Sequence, residues 1–246
     1  MFISKSRLLS AAKSVLRSIG LEVSFANTAV TERNVLRPVF QSRKFSFVLD
    51  VGANTGQYGL LVRSCGHLGP IVSFEPLAVA YEKLIACAAS DPLWTVAERT
   101  ALGARASHTT INVAGNSVSS SLLAMNARHL EAEPRSAFIG TETIDVVALD
   151  DCFGRYVSAS RGGFLKVDTQ GYEMEVLRGA HRVLSESIDV VQTELSLVQL
   201  YEEQPLMLDI CNLLKPYGFN LRHIIPGLKG PVGGALLQLD GIFVRD

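Results

Sequence analysis

One stretch limits the possible folds more than any other: Phe47-Val-Leu-Asp50-Val-Gly52-Ala-Asn54-Thr-Gly56-Gln-Tyr58-Gly59. Phe47 to Val51 contains no breaker and fits a buried strand. Gly52 and Gly56 then permit a tight turn and a close backbone approach to a ligand. Gln57 to Ser64 reads as the helix that follows. Strand, glycine turn and helix in this order form the nucleotide end of a doubly wound α/β sheet, where ligands sit beyond the strand C-termini.

The spacing narrows the ligand. A hydride-transfer fingerprint requires G-x-G-x-x-G, whereas this turn places Asp50 two residues ahead of Gly52, then Asn54 and Gly56. That is closer to the D-x-G-x-G-x-G turn of class I S-adenosylmethionine methyltransferases, with Asn54 in the middle glycine's place. Asparagine enters left-handed backbone angles more readily than most residues, so the exchange is physically sound. No lysine of the Walker type follows, which excludes a P-loop. An uncharged turn also suits a sulfonium amino acid better than a pyrophosphate. The next apolar run, Ile71 to Phe74, ends in Glu75-Pro76. An acid there can accept hydrogen bonds from both ribose hydroxyls, Pro76 stops the strand, and the plainer role for Glu75 is a charge at a helix start.

Five blocks together carry a family resemblance. Asp50 to Gly56, Phe74-Glu75-Pro76, Asn116 to Leu122, Lys166-Val-Asp168-Thr-Gln-Gly171-Tyr-Glu173, and Asp240-Gly-Ile-Phe243 resemble the FkbM family of methyltransferases, in the family's order, over about residues 45 to 246. The resemblance implies a class I Rossmann-like fold, S-adenosylmethionine as donor, and O-methylation of a hydroxyl on a sugar or polyketide. It marks Asp50, Gly52, Asn54, Gly56, Tyr58, Glu75, Pro76, Ala101, Leu102, Ser120 and Asp168 as candidate cofactor contacts. Strand packing explains Ala101 and Leu102 equally well, and a serine-rich loop such as Asn116 to Ser121 is by composition simply solvated.

Lys166 and Asp168 lie two apart on the strand that begins at Gly163, so both side chains take the same face. Asp168 stands at its C-terminal end, and Glu194 at the end of the strand that starts at Ile188. Methyl transfer to a hydroxyl requires orientation of the acceptor oxygen and removal of its proton. Asp168, Lys166 and Glu194 are therefore the catalytic candidates, with Asp168 first as base. A divalent cation held by Asp168 and Glu194 is a second route to an acidified hydroxyl. A third role for Asp168 is to bind the donor's amino group or pin the turn. Glu173 falls in a first helical turn, where a negative charge is favoured anyway. None of the five histidines stands out as a base.

The remaining sequence bounds the setting. A chain of 246 residues buries one substantial core, so residues 45–246 are read as the catalytic domain and residues 1–44 as a basic appendage. A net charge of −1 argues against a nucleic-acid binder. Cys65, Cys87, Cys152 and Cys211 show neither C-x-x-C nor zinc spacing and read as reduced core residues of a cytoplasmic protein. No apolar run reaches spanning length. Residues 2 to 19 place apolar side chains at helical spacing among Lys5, Arg7, Lys13 and Arg17, with no acid. Such a basic amphipathic helix either meets the inner membrane face near a lipid-linked acceptor, or packs on the domain or a second copy as a homodimer contact.

The expected fold is α/β: a doubly wound, mostly parallel seven-stranded sheet with an antiparallel last strand, plus the N-terminal helix. Trp94 to Leu102 is expected as the third strand, residues 107 to 123 as an inserted hairpin, Tyr172 to Ser187 as one helix, and Gly227 to Gly234 as a loop over the acceptor. Asp150-Asp151 reads as a strand end capping the next helix. The favoured acceptor is a glycolipid or cell-surface sugar, and a polyketide or other secondary metabolite is the alternative. A NAD-dependent oxidoreductase or nucleotide-sugar enzyme lacks its fingerprint here, and a degenerate, non-catalytic module does not account for the acids at Asp50, Glu75 and Asp168.

Overall fold

The computed structural model describes residues 31–158, 161–231 and 233–245. The helix expected over residues 2 to 19 lies outside them. The described chain runs α1 (Glu32–Ser42), β1 (Phe47–Val51), α2 (Gln57–Ser64), β2 (Ile71–Phe74), α3 (Ala78–Ala88), β3 (Trp94–Val96), β4 (Ala101–Leu102), β5 (Ser107–Ala114), α4 (Ala127–Ala132) and β6 (Phe138–Val147). It continues through α5 (Leu149–Tyr156), β7 (Gly163–Val167), α6 (Glu173–Arg178), α7 (His181–Glu186), β8 (Ile188–Ser196), α8 (Met207–Leu214), β9 (Phe219–Pro226) and β10 (Gln238–Arg245).

Seven strands form the main sheet in the order β3-β2-β1-β7-β8-β10-β9. All neighbours pair in parallel except β10, which runs antiparallel to both β8 and β9. This is the expected doubly wound sheet. Its central strands alternate between two apolar layers. Phe47, Leu49, Val51, Leu165 and Val167 pack on the side of α5, α6, α7 and α8, together with Leu149, Val176, Leu184 and Ile210. Val48, Phe164 and Val190 pack on the other side with Leu36 and Phe40 of α1, Val62 of α2 and Leu84 of α3. Asp50, Lys166 and Gln192 share the parity of this second layer.

Several local expectations are corrected. Trp94 to Leu102 is not one strand: β3 ends at Val96, and β4 joins a separate three-stranded sheet, β4-β6-β5. Residues 107 to 123 are not a self-contained hairpin. β5 pairs along its length with β6, while Asn112 meets Ser121 only at an isolated bridge. Alternating residues mark β5 as a half-buried strand, but parity does not choose a partner.

Tyr172 to Ser187 is divided into α6 and α7 at Gly179, where an added Cβ would stand 1.9 Å from the carbonyl oxygen of Gly103. The backbones touch there, and helical periodicity continues across the break without revealing it. Asp150 lies inside the first turn of α5, and its carboxylate accepts the N–H groups of Arg182 and Val183 at 2.8 and 2.9 Å. The helix it caps is thus α7, not the one following its own strand. α1 continues through Pro38, which forgoes one backbone hydrogen bond, while Leu36, Val39 and Phe40 bury. No helix among the described residues is long and apolar enough to cross a membrane.

Candidate active site

The turn after β1 is held in left-handed conformation at three places: φ is 74° at Gly52, 46° at Asn54 and 94° at Gly56. Gly52 is irreplaceable by geometry as well as angle, since an added Cβ would lie 1.8 Å from the carbonyl oxygen of Asp168. Two successive N–H groups, of Gly52 and Ala53, donate to the Phe74 carbonyl at 3.1 and 3.0 Å and lock the turn against the end of β2. Glu75 follows at once, with Oε2 accepting the Asn54 N–H at 2.8 Å and Oε1 the Leu77 N–H at 2.9 Å. Burial pushes its carboxyl up to about 7, against these two hydrogen bonds and the charge of Lys166. Each oxygen retains a lone pair for a hydroxyl.

A cleft of about 680 Å³ opens beside this turn. Gly52, Asn54, Glu75, Pro76, Ala101, Leu102, Ser120 and Asp168 line it, along with Leu77, Ile111, Ser117, Val118 and Tyr172. The structure thus gathers eight of the eleven residues marked as cofactor contacts in one wall set. The other three lie elsewhere. Gly56 starts α2 and packs against Cys87, where a Cβ would be 2.9 Å from its Sγ. Asp50 is fully buried below the turn. Tyr58 faces the opposite side of the turn.

That opposite side holds a second cleft, of about 720 Å³, lined by Glu32, Gln57, Tyr58, Lys166, Gln192, Glu194 and Asp240. Gly52, Asn54, Val118 and Asp168 line both clefts, so the two meet at the mouth between β1 and β7. Strand register produces the second wall. Ser73, Asp50, Lys166 and Gln192 sit side by side across four adjacent strands, and Glu194 opposes Asp240. Tyr58 donates to Gln192 Oε1 at 2.8 Å, and Gln192 Nε2 donates to Glu32 Oε1 at 2.7 Å.

Among the described residues, Lys166 is the one cation lining this cleft beside the carboxyls. Its Nζ lies 3.3 Å from Asp50 Oδ1 and 3.4 Å from Asp168 Oδ2, and it donates to the Gly52 carbonyl at 2.9 Å. Burial opposes its charge, but Asp168 and Asp50 prevail and hold its pKa above the ordinary lysine value. Lys166 therefore has no lone pair with which to act as a base; it ties the turn, Asp50 and Asp168 together. Burial, and then the neighbouring carboxylates, push Asp240 up to about 8 and Glu194 well above the usual carboxylate range.

Some of these residues carry no sequence signal of their own. Glu32 and Gln192 are far apart in the chain, and Gln170 stands in a turn. Gln192 was reachable by period two from Glu194. Glu32 was not reachable at all, since nothing local ties α1 to β8. No histidine lines either cleft, nor does any described residue of the Gly227–Gly234 loop. Among the described residues no group of three or more His, Cys, Asp or Glu side chains is arranged to hold a metal ion.

Residues 50–221, most of the chain, match the methyltransferase FkbM domain. The chain belongs to the FkbM methyltransferase family. No curated protein matches it. Among solved structures, it is similar to the O-methyltransferase from Bacillus cereus in complex with SAH (11% identity, 100% of this chain and 94% of that one, TM-score 0.48). It is also similar to a TehB-like SAM-dependent methyltransferase from Corynebacterium glutamicum (11%, 98% and 98%, 0.43) and to TehB from Haemophilus influenzae (8%, 90% and 64%, 0.47). Likenesses this distant say nothing of acceptor or mechanism.

The cofactor of this FkbM methyltransferase is S-adenosylmethionine. The walls of the first cleft fit it. Glu75 would offer lone pairs to ribose hydroxyls, Leu77, Ala101, Leu102 and Ile111 would give an apolar wall for a flat ring, and the buried Oδ1 of Asn54 has no partner among the described residues.

Proposed function

We propose that the enzyme methylates a hydroxyl of a sugar, with a glycolipid or cell-surface glycan as acceptor. The observation that supports this is the junction of the two clefts at Gly52, Asn54, Val118 and Asp168. The first cleft suits the donor. The second is walled by carboxyls and amides, which a polyol satisfies hydroxyl by hydroxyl. A largely apolar acceptor such as a reduced polyketide would leave the open lone pairs of Glu32, Glu194 and Asp240 desolvated, at a cost of roughly 1–3 kcal/mol for each group left so.

S-adenosylmethionine supplies, when bound, a methyl group on a positively charged sulfur. The chain's own residues then have two tasks: to orient the acceptor oxygen and to receive its proton. Asp168 stands where the clefts meet and is our choice for the proton acceptor. Lys166 holds its Oδ2 and, through the Gly52 carbonyl, fixes the turn beside it. Glu194 stands by as a second carboxyl to anchor the acceptor hydroxyl.

The basic segment of residues 2 to 19 suits a lipid-linked acceptor if it meets an anionic membrane face, the role that competes with packing on the domain or a second copy. The test is direct. Purified enzyme, methyl-labelled donor and fractionated glycolipid, polysaccharide and small-metabolite extracts are incubated, and labelled products are identified by mass spectrometry. Label in an O-methyl sugar supports the reading. Label confined to an N-methyl or apolar product overturns it.

A further inference from the structure

The Gln170 side chain is bonded at both ends of its amide beside the junction. Its backbone is left-handed, with φ 55°, a conformation unfavourable for a non-glycine residue. Side-chain bonds hold it there. Nε2 donates to Asp168 Oδ1 at 2.9 Å and to Glu194 Oε2 at 2.7 Å. Oε1 lies 3.0 Å from the Tyr201 hydroxyl, and the Gln170 carbonyl accepts the Ser121 hydroxyl at 2.6 Å. Tyr201 Oη is also 3.1 Å from the Ser119 carbonyl. Ser117, Val118 and Ser120, from the same segment, line the donor cleft.

Counting protons exposes a conflict. The Tyr201 hydroxyl has one hydrogen and two acceptors, the Ser119 carbonyl and Gln170 Oε1, so one of them is always unmet. Turning the amide over resolves this. Nε2 then donates to Tyr201 Oη, whose hydrogen goes to Ser119, and Oε1 faces Asp168 and Glu194. An amide oxygen is satisfied there only if one of the two acids carries a proton. The orientation with nitrogen inward matches two carboxylates, and that with oxygen inward matches one carboxylate and one acid.

We infer that Gln170 is a positioning residue whose amide turns with the protonation of the Asp168–Glu194 pair and passes that state, through Tyr201, to the 117–121 segment. This rests on the acceptor reading above. The acceptor oxygen gains the methyl group as the methyl–sulfur bond breaks with its electron pair left on sulfur; the acceptor's O–H bond breaks with that pair kept on oxygen, and the proton moves to the Asp168–Glu194 pair. One carboxylate becomes a neutral acid, the amide turns over, and the Tyr201–Ser119 bond is made. The other charged or titratable groups facing this network are Lys166 from β7, Glu173 from α6, Asp240 from β10, Asp50 from β1 and Glu32 from α1.

Infrared difference titration of the acid carbonyl band, assigned to Glu194 by its loss in Glu194→Gln, tests this in the enzyme bound to S-adenosylhomocysteine. It needs no acceptor, so a failed search for an O-methyl sugar and a failed switch remain distinguishable. Gln170→Met removes both N–H donors to the pair, and the Glu194 midpoint is expected to rise by at least one pH unit, a tenfold change in acid constant. Tyr201→Phe removes two bonds from the oxygen-inward state but only one from the nitrogen-inward state, so its midpoint is expected to fall. Opposite signs are the signature. If both variants move the midpoint the same way, or lower only the melting temperature, the switch is refuted. If Gln170→Met does not fold, Tyr201→Phe decides by its sign alone.

Discussion

Replacing Lys166 with methionine tests the electrostatic design of the site most directly. Lys166 is 5% exposed, and its ammonium faces the fully buried Asp50 at 3.3 Å. Removing one partner of a buried ion pair costs about 3–5 kcal/mol, because the other is left uncompensated. Asp168 adds little, since its side chain is 37% exposed and solvent screens it. The Gly52 carbonyl loses its 2.9 Å donor as well, worth about 1 kcal/mol.

The cost must depend on pH. Burial already raises Asp50 above its reference value of 3.8, with Lys166 pulling it back down. Without Lys166 the folded-state pKa rises further. A carboxyl with a raised folded pKa causes no loss of stability below its unfolded value and an increasing loss as pH climbs towards the folded one, by about 1.4 kcal/mol per unit. Urea unfolding at pH 5.5 and pH 8 is therefore expected to show a gap between Lys166→Met and wild type that is wider at pH 8 by about 1–3 kcal/mol. Adding Asp50→Asn should recover most of the loss, because the two positions are directly coupled. A gap independent of pH, or additive single and double variants, would refute the reasoning.

Two further outcomes follow from the same geometry and one from the sequence. Asp168→Asn keeps shape but removes the proposed proton acceptor, so turnover should drop by about two to four orders of magnitude while calorimetry shows S-adenosylhomocysteine binding nearly unchanged; lost binding with preserved turnover at saturating donor would move Asp168 out of the chemistry. Glu75→Ala should weaken S-adenosylhomocysteine binding by about 1.5–3 kcal/mol, the range for a hydrogen bond to a charged group, and an unchanged affinity would remove Glu75 from the ribose. Deleting residues 1–20 should abolish sedimentation with anionic vesicles and leave turnover of a soluble acceptor intact; a truncated enzyme that aggregates or melts early points to a packed segment instead.

What was legible in the sequence was local. The strand from Phe47 to Val51, the helix from Gln57 to Ser64 and the strand from Ile71 to Phe74 fall where the apolar runs and glycines placed them. Asn54 takes the left-handed angle its substitution for glycine required. What was not legible depends on pairing across distance. The partner of β5 is β6, and alternation does not say so. Gly179 breaks a helix only because the Gly103 carbonyl presses on it. Gln192 reaches Glu32 across 160 residues, and only the assembled sheet and α1 bring them together. The left-handed backbone of Gln170 has no marker comparable to a glycine, since its side-chain bonds, not its residue type, hold it there.

The location of the junction follows from the winding of the sheet. From β1 the chain steps outward through β2 to β3, and from β7 it steps the other way to β8. Connections leave these two central strands on opposite faces, which opens a crevice beyond their C-termini. Gly52 and Asp168 are the residues that immediately follow these strands. With no side chain on Gly52, its Cα can approach the Asp168 carbonyl, and the two turns close into a single ridge with a cleft on either side. Bulk at position 52 would separate the turns, and the two clefts would no longer share an edge. The same parity that directs Val48 and Phe164 into the apolar layer below directs Asp50 and Lys166 to the layer's upper rim. The ion pair under the ridge is therefore a consequence of strand register, and through Lys166 it fixes the height of Asp168 at the mouth between the clefts.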